Sequence, residues 1–180
     1  QVHDLFETLS DQAMRAGAII RRLRDLVAKR SFARSKAPIN DIIQGVLQFL
    51  DQSLRLSNVR VEQKLNPAVA PVFVDEIQIQ QVLVNLVRNA VDAMSETDED
   101  QRCLAITSSP AAGDLVEVSV SDTGGGLSQE NADQVFDAFF STKPEGMGMG
   151  LAISRSIIES HGGHLWTTAN ADRGATFHFT

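Results

Sequence analysis

Three short stretches of the 180-residue chain carry side chains that chemistry could use. Asn85 and Asn89 stand four residues apart with Asp92 three further on, so on a helix all three share one face. Amide oxygens on one stripe can hold a hydrated cation, because Mg²⁺ keeps several of its waters and takes only one or two protein oxygens beside phosphates. A plain solvated helix face has the same pattern. Asp122 ends the alternating run Val118-Ser119-Val120-Ser121 and opens Thr123-Gly124-Gly125-Gly126, a turn that lets backbone approach a flat ligand where a Cβ would intrude. An ionised carboxylate there can accept from the exocyclic amino group of adenine, whereas guanine would set a carbonyl against it. The alternative is a tight turn whose Asp satisfies backbone amides. Gly146, Gly148 and Gly150 alternate with Met147 and Met149 ahead of a helix that includes Leu151, so unspent amides and the positive end of the helix dipole face that loop and suit an anion. Lys143 lies close enough to swing a point charge onto phosphates. The plainer alternative, a flexible loop, fits less well because Phe136, Phe139 and Phe140 precede Lys143, and three aromatics are costly in a solvated loop unless they anchor it.

These residues need elements to place them. The stretch from Leu5 to Val27 spaces its apolar residues by three or four and marks a long amphipathic helix over 1–31 whose stripe requires a partner, from a second copy or an upstream segment; the chain start looks truncated. Residues 32–38 end at Pro38 and read as a linker into a domain over 39–180. Asn40 is placed to cap a helix to about Leu56, Val59 to Leu65 alternate as a strand, Val72–Val74 is a short strand, and Asp75 caps the helix that carries Asn85 and Asn89. Cys103–Ser109 and Leu115–Asp122 read as a hairpin. Residues 128–148 have the profile of a mobile functional loop. A helix over 149–161, stopped by Gly162 and Gly163, and strands over 164–169 and 175–180 complete the domain.

Composition narrows the function. The chain is 43% apolar and 22% charged, enough to fill a core and inconsistent with disorder. No run approaches a membrane span, the start lacks a signal-peptide layout, and Cys103 is the only cysteine, so a soluble protein of a reducing compartment, the cytoplasm, is expected. Of the net charge of -7, residues up to Lys36 contribute +4 (eight Lys/Arg against four Asp/Glu), leaving -11 for the remainder. That remainder would repel a nucleic-acid backbone, and the basic stretch has no interleaved aromatics.

The ordered set Asn85-Leu-Val-Arg-Asn89, Asp122-Thr-Gly124-Gly-Gly126, Phe136 with Phe139-Phe140-Ser-Thr-Lys143, and Gly146-Met-Gly148-Met-Gly150-Leu151 resembles the catalytic domain of sensor histidine kinases. Arg15 to Val27 looks like the second dimerisation helix of the FixL-like subgroup, and Gln80 to Leu86 and Ile153 to Gly163 point the same way. The resemblance implies an α+β fold, a two-layer α/β sandwich with a mixed, mostly antiparallel sheet covered by helices on one face. It implies ATP and Mg²⁺ as cofactors, with Asn89 on the metal and Asn85 supporting the phosphates. Asp122 would hold adenine beside Gly124 and Gly126, and Lys143, Gly146, Gly148, Gly150 and Leu151 would form the phosphate lid. Implied partners are a response-regulator receiver domain, a phosphoacceptor helix of the same or a partner subunit, and a second copy in a homodimer.

Gyrase-type and chaperone-type ATPases of related fold place a Glu as hydrolytic base where this chain has Asn85. An amide cannot take that proton, so phosphoryl transfer to a protein side chain is expected over hydrolysis. Three positions depart from the family: Asp92 for Lys, Ala138 for Pro, and Ala175 for a Thr whose hydroxyl Thr176 is a candidate to replace. His3-Asp4-Leu5 imitates the acceptor motif but has no hairpin after it, which puts the acceptor outside this chain. His161 ends a helix, and His164 and His178 fall in strand-like runs where cross-strand packing accounts for them. A degenerate nucleotide-gated dimerisation module is the alternative; an anti-sigma-type Ser/Thr kinase is disfavoured by the long basic helix.

Overall fold

The computed structural model describes residues 34–127, 134–141 and 148–180. The expected dimerisation helix over 1–31, including His3, therefore lies outside the described residues, as do Lys143 and Gly146.

Among the described residues seven strands and three α-helices follow in chain order: β1 (Ser35–Ala37), α1 (Ile39–Leu56), β2 (Arg60–Leu65), β3 (Val72–Val74), α2 (Glu76–Ala93), β4 (Cys103–Pro110), β5 (Val116–Asp122), α3 (Gly150–Ser160), β6 (Leu165–Ala169) and β7 (Ala175–Phe179). Five strands form a sheet in the order β2-β4-β5-β7-β6. Only β2 and β4 run parallel; the other neighbours are antiparallel. The expected two-layer α+β sandwich is the one observed.

Residues 35–37, expected as linker, instead pair with β3 through Ser35↔Val74 and Ala37↔Val72, so the compact body already includes them. In α1 the residues Ile39, Ile42, Ile43, Val46, Leu47, Leu50 and Leu54 recur every three or four positions and are buried, the stripe that the helical period demands. The cap of that helix departs from expectation. Pro38 is the N-cap and Asn40 lies inside the first turn, where its side chain serves a distant partner. Asn40 Nδ2 donates to Asn66 O at 3.0 Å and Asn40 Oδ1 accepts from Ser108 Oγ at 2.7 Å, stapling α1 to the sheet. On α2, Asp75 caps as its type and place predict, its carboxylate accepting from the Gln78 N–H at 3.1 Å. Ile79, Val82, Leu83, Leu86, Val87 and Ala90 of α2 meet Leu104 and Ile106 of β4, Val118 and Val120 of β5, and Phe177 and Phe179 of β7 in one core. The core thus sits between the helices and one face of the sheet, and Asp122 belongs to that same inward row.

Candidate functional site

The inward row of β5 ends in a charge. Asp122 is 3% exposed, and its Oδ1 accepts from the Gly124 N–H at 2.8 Å and the Ala175 N–H at 3.4 Å. Burial pushes its carboxyl above the ordinary carboxylate range, and the two amides oppose that shift only in part. The turn after it rests on the end of α2: a Cβ on Gly124 would collide with the Ala93 carbonyl, and the Gly125 N–H donates to Ala93 O at 3.3 Å. Only glycine fits that approach. Gly126 follows with φ +77°.

A second staple holds the backbone of Asp122. Asn170 Nδ2 donates to Asp122 O at 2.8 Å and to Ser121 Oγ at 3.2 Å, while Asn170 Oδ1 accepts from the Thr176 hydroxyl at 2.6 Å. Thr176 pairs in register with Ser121, so both side chains stand on the face opposite Asp122. Thr176, the candidate to replace the hydroxyl near adenine that Ala175 lacks, thus stands on the strand face opposite the Asp122 carboxylate, where it supports Asn170. Ala175 stands next to the carboxylate and contributes its backbone N–H alone.

The amide pair lies on α2. Asn85 Nδ2 donates to Ser154 Oγ of α3 at 3.0 Å, and a Cβ on Gly150 would collide with Asn85 Oδ1, so the first turn of α3 lies directly against this amide. Asn89 sits one turn further along α2, half-buried. Asp92 does not complete a common cluster: it is exposed and lines a groove of about 290 Å³ with Leu50, Ser53 and Leu54 of α1 and with Val87, Arg88 and Val91. Among the described residues no group of three or more His, Cys, Asp or Glu could hold a metal, so a cation here would draw its protein oxygens from amides. That suits a hydrated Mg²⁺ shared with phosphates.

Gly148, with φ +62°, and Gly150, the first residue of α3, both lie against the site's elements: the Gly148 carbonyl accepts from the Phe139 N–H at 3.0 Å. Met149 is the N-cap of α3 and makes no side-chain cap bond, so among the described residues no side chain claims the first-turn N–H groups. Of the three aromatics expected to anchor this loop, Phe136 is buried edge-on to Phe177 with centroids 6.2 Å apart, and Phe140 packs on the core. Phe139 does not anchor: it is 77% exposed, at a residue with a positive φ of 71°.

The remaining described histidines are structural, as their places suggest. His161 Nδ1 donates to Ile157 O at 2.8 Å and its Nε2 accepts from the Asp75 N–H at 3.1 Å, tying the end of α3 to the start of α2. His178 lies between Glu117 Oε1 at 3.0 Å and Thr168 Oγ1 at 2.9 Å, and Trp166 stacks between it and His164. Ser154 and Asn170 escaped the sequence reading. Ser154 had one visible signal, a polar residue on the stripe of Leu151, Ile157 and Ile158; the tie of Asn170 to Asp122 and Ser121 had none, because those partners lie 48 and 49 positions away.

A family model described as histidine kinase-, DNA gyrase B-, and HSP90-like ATPase matches residues 74–180. The chain is 45% identical over 180 residues to the sensor protein FixL of Bradyrhizobium diazoefficiens, covering all of this chain and 35% of that protein. It is 42% identical over 166 residues to the sensor protein TdiS of Thauera aromatica, covering 92% of this chain and 30% of that protein. It therefore spans about a third of the length of the curated relatives it matches. Among solved structures it superposes on the nucleotide-free catalytic domain of histidine kinase ThkA with a TM-score of 0.71 at 34% identity, covering 81% of this chain and 93% of that one. A structure of ThkA in complex with the response regulator TrrA gives a TM-score of 0.77 at 28% identity, over 96% of this chain and 48% of that one.

Proposed function

The chain belongs to the histidine kinase-, DNA gyrase B- and HSP90-like ATPase family, and from that premise we propose that it is the ATP-binding catalytic part of a FixL-like sensor histidine kinase. In this reading it transfers the γ-phosphoryl of ATP to a histidine on a dimerisation helix outside the chain, and the phosphoryl then passes to a response-regulator receiver domain. The observation that carries it is the residue at the base position. Asn85 is an amide whose nitrogen is spent on Ser154, so nothing at that place can deprotonate a hydrolytic water. A site that binds ATP without a hydrolytic base is suited to hand the phosphoryl to a protein nucleophile.

The division of labour in this reading is the one the family resemblance implies. Asp122 accepts from the adenine amino group, with Gly124 and Gly126 leaving room for the ring. Asn89 would hold Mg²⁺ and Asn85 would support the phosphates; a bound Mg²⁺ would supply charge neutralisation there. Lys143 and Gly146, with Gly148, Gly150 and Leu151, close over the phosphates through a cation and the open amides of α3. Positioning and electrostatics are the whole contribution of this domain, since the nucleophile comes from elsewhere. Residues 1–31 would then supply the second dimerisation helix of a homodimer, and the cytoplasm is the compartment where ATP is available. Among the described residues no helix is long and apolar enough to cross a membrane.

Calorimetric titration of this chain with a non-hydrolysable ATP analogue and Mg²⁺, followed by labelled ATP and a separate acceptor-helix polypeptide, tests the proposal. Binding, with label reaching the acceptor histidine only when that polypeptide is present, is the expected result. Binding without transfer would replace it by a nucleotide-gated dimerisation module, and absence of binding would overturn the site.

A further inference from the structure

Ser154 lies in the middle of α3 and is 2% exposed, on the side of the helix that Ile157 and Ile158 fill with hydrocarbon. A hydroxyl there loses water and contributes less to packing than an aliphatic side chain would, so its retention calls for a polar partner. That partner is Asn85, whose Nδ2 donates to Ser154 Oγ at 3.0 Å. A carboxamide has two chemically opposite ends, and committing the nitrogen to one neighbour settles where the oxygen goes. Here Asn85 Oδ1 lies over the first turn of α3, close enough that a Cβ on Gly150 would strike it. The absence of a side chain at Gly150 and the hydroxyl of Ser154 therefore act on the same amide from two sides, one turn apart along one helix.

We propose that Ser154 is a positioning residue of the nucleotide site: it holds the Asn85 carboxamide with its oxygen toward the first turn of α3, where that oxygen can accept from the water shell of a phosphate-bound cation. The inference rests on the nucleotide-binding reading above and deepens it, because it makes the orientation of Asn85 depend on α3, the helix that also ends the lid segment. Without the Ser154 hydroxyl the Asn85 nitrogen loses its acceptor and the carboxamide is free to rotate, so a fraction of the molecules lacks the acceptor where it is needed.

The test is a double-mutant cycle on the full 180-residue chain, reading the dissociation constant of a non-hydrolysable ATP analogue with Mg²⁺ by calorimetry and the melting temperature of each variant. Ser154→Ala is expected to weaken binding about three- to tenfold, the worth of one neutral hydrogen bond. In an Asn85→Ala background the same substitution is expected to change affinity less than about twofold, since no amide is left to orient. An equal loss in both backgrounds would overturn the inference by showing that Ser154 acts through helix packing, and so would unchanged affinity in the single variant. If Ser154→Ala melts too low to titrate, Ser154→Cys keeps a side chain of similar reach with a weaker acceptor and must show the same dependence on background. Wild-type protein that fails to bind the analogue at all would overturn the nucleotide reading itself, and this outcome is separate from a cycle that is additive in a chain that binds.

Discussion

The two faces of the five-stranded sheet are made from alternate residues of the same strands, yet they handle polar groups in opposite ways. On the covered face Leu104, Ile106, Val118, Val120, Phe177 and Phe179 are buried, and the row ends in the single carboxylate of Asp122. On the open face Thr107 and Ser119 share a hydrogen bond of 2.7 Å, Ser121 and Thr176 one of 2.8 Å, and Glu117, His178 and Thr168 form a chain. Each polar group there has a lateral neighbour across the strands, an arrangement that costs little to keep because the groups satisfy one another. Asp122 is different: two amides hold one of its oxygens, while burial still raises its proton affinity. A carboxylate kept where burial opposes its charge is the feature on which the proposed adenine contact rests, and the open face has no counterpart to it among the described residues.

The sharpest way to break this contrast is Asp122→Ala, which removes the carboxylate and leaves the surrounding amides without an acceptor. Calorimetry with the ATP analogue is expected to show affinity falling about 100-fold or more, with circular dichroism unchanged; near-wild-type affinity would return Asp122 to the role of a turn residue. A subtler change, Asp122→Asn, separates binding from stability. With its pKa raised in the folded state, the carboxyl contributes stability that is fully present below its unfolded pKa and lost as pH rises through the folded value. The amide has no such dependence, so the ligand-free variant is expected to be more stable than wild type at neutral pH, the difference closing in acid as Asp122 protonates. Its nucleotide affinity should fall, since the free end of the amide can meet the adenine amino group donor to donor. Melting curves from about pH 4 to pH 8 check the sign, and a variant less stable than wild type at pH 7 would contradict it. The smallest effect is expected on the open face. Thr107→Val keeps the shape and loses the bond to Ser119, which should cost less than about 1 kcal/mol in a denaturant melt and leave nucleotide affinity within about twofold.

The elements that position the site could be read from spacing because each obeys its own local period. The stripe of α1, the Asp75 cap of α2 and the alternation through Val118, Val120 and Asp122 needed no knowledge of distant residues. The side that Thr176 occupies was equally readable, since Ala175, Phe177 and Phe179 share one parity and Thr176 has the other. What escaped depends on partners remote in the chain. Asn40 has the right type and place for a cap, but a staple to Asn66 and Ser108 claims its side chain. β1 spans three residues, too few to show any alternation, and exists only because β3 passes beside it. Ser154 and Asn170 act on Asn85 and Asp122 across 69 and 48 positions respectively, distances at which a single sequence holds no pairing signal.

The one parallel pair in the sheet ties the site to how the chain folds. A β2 strand can lie parallel to β4 only if the chain between Leu65 and Cys103 crosses over the sheet, and the main body of that crossover is α2. The helix carrying Asn85 and Asn89 is thus the connection whose closure brings together the strands of greatest separation on that side, a slow, non-local step in topological terms. Pairing β2 with β4 therefore also fixes both ends of the segment that carries the amide-bearing helix, so the placement of Asn85 and Asn89 is coupled to the topology of this half of the sheet.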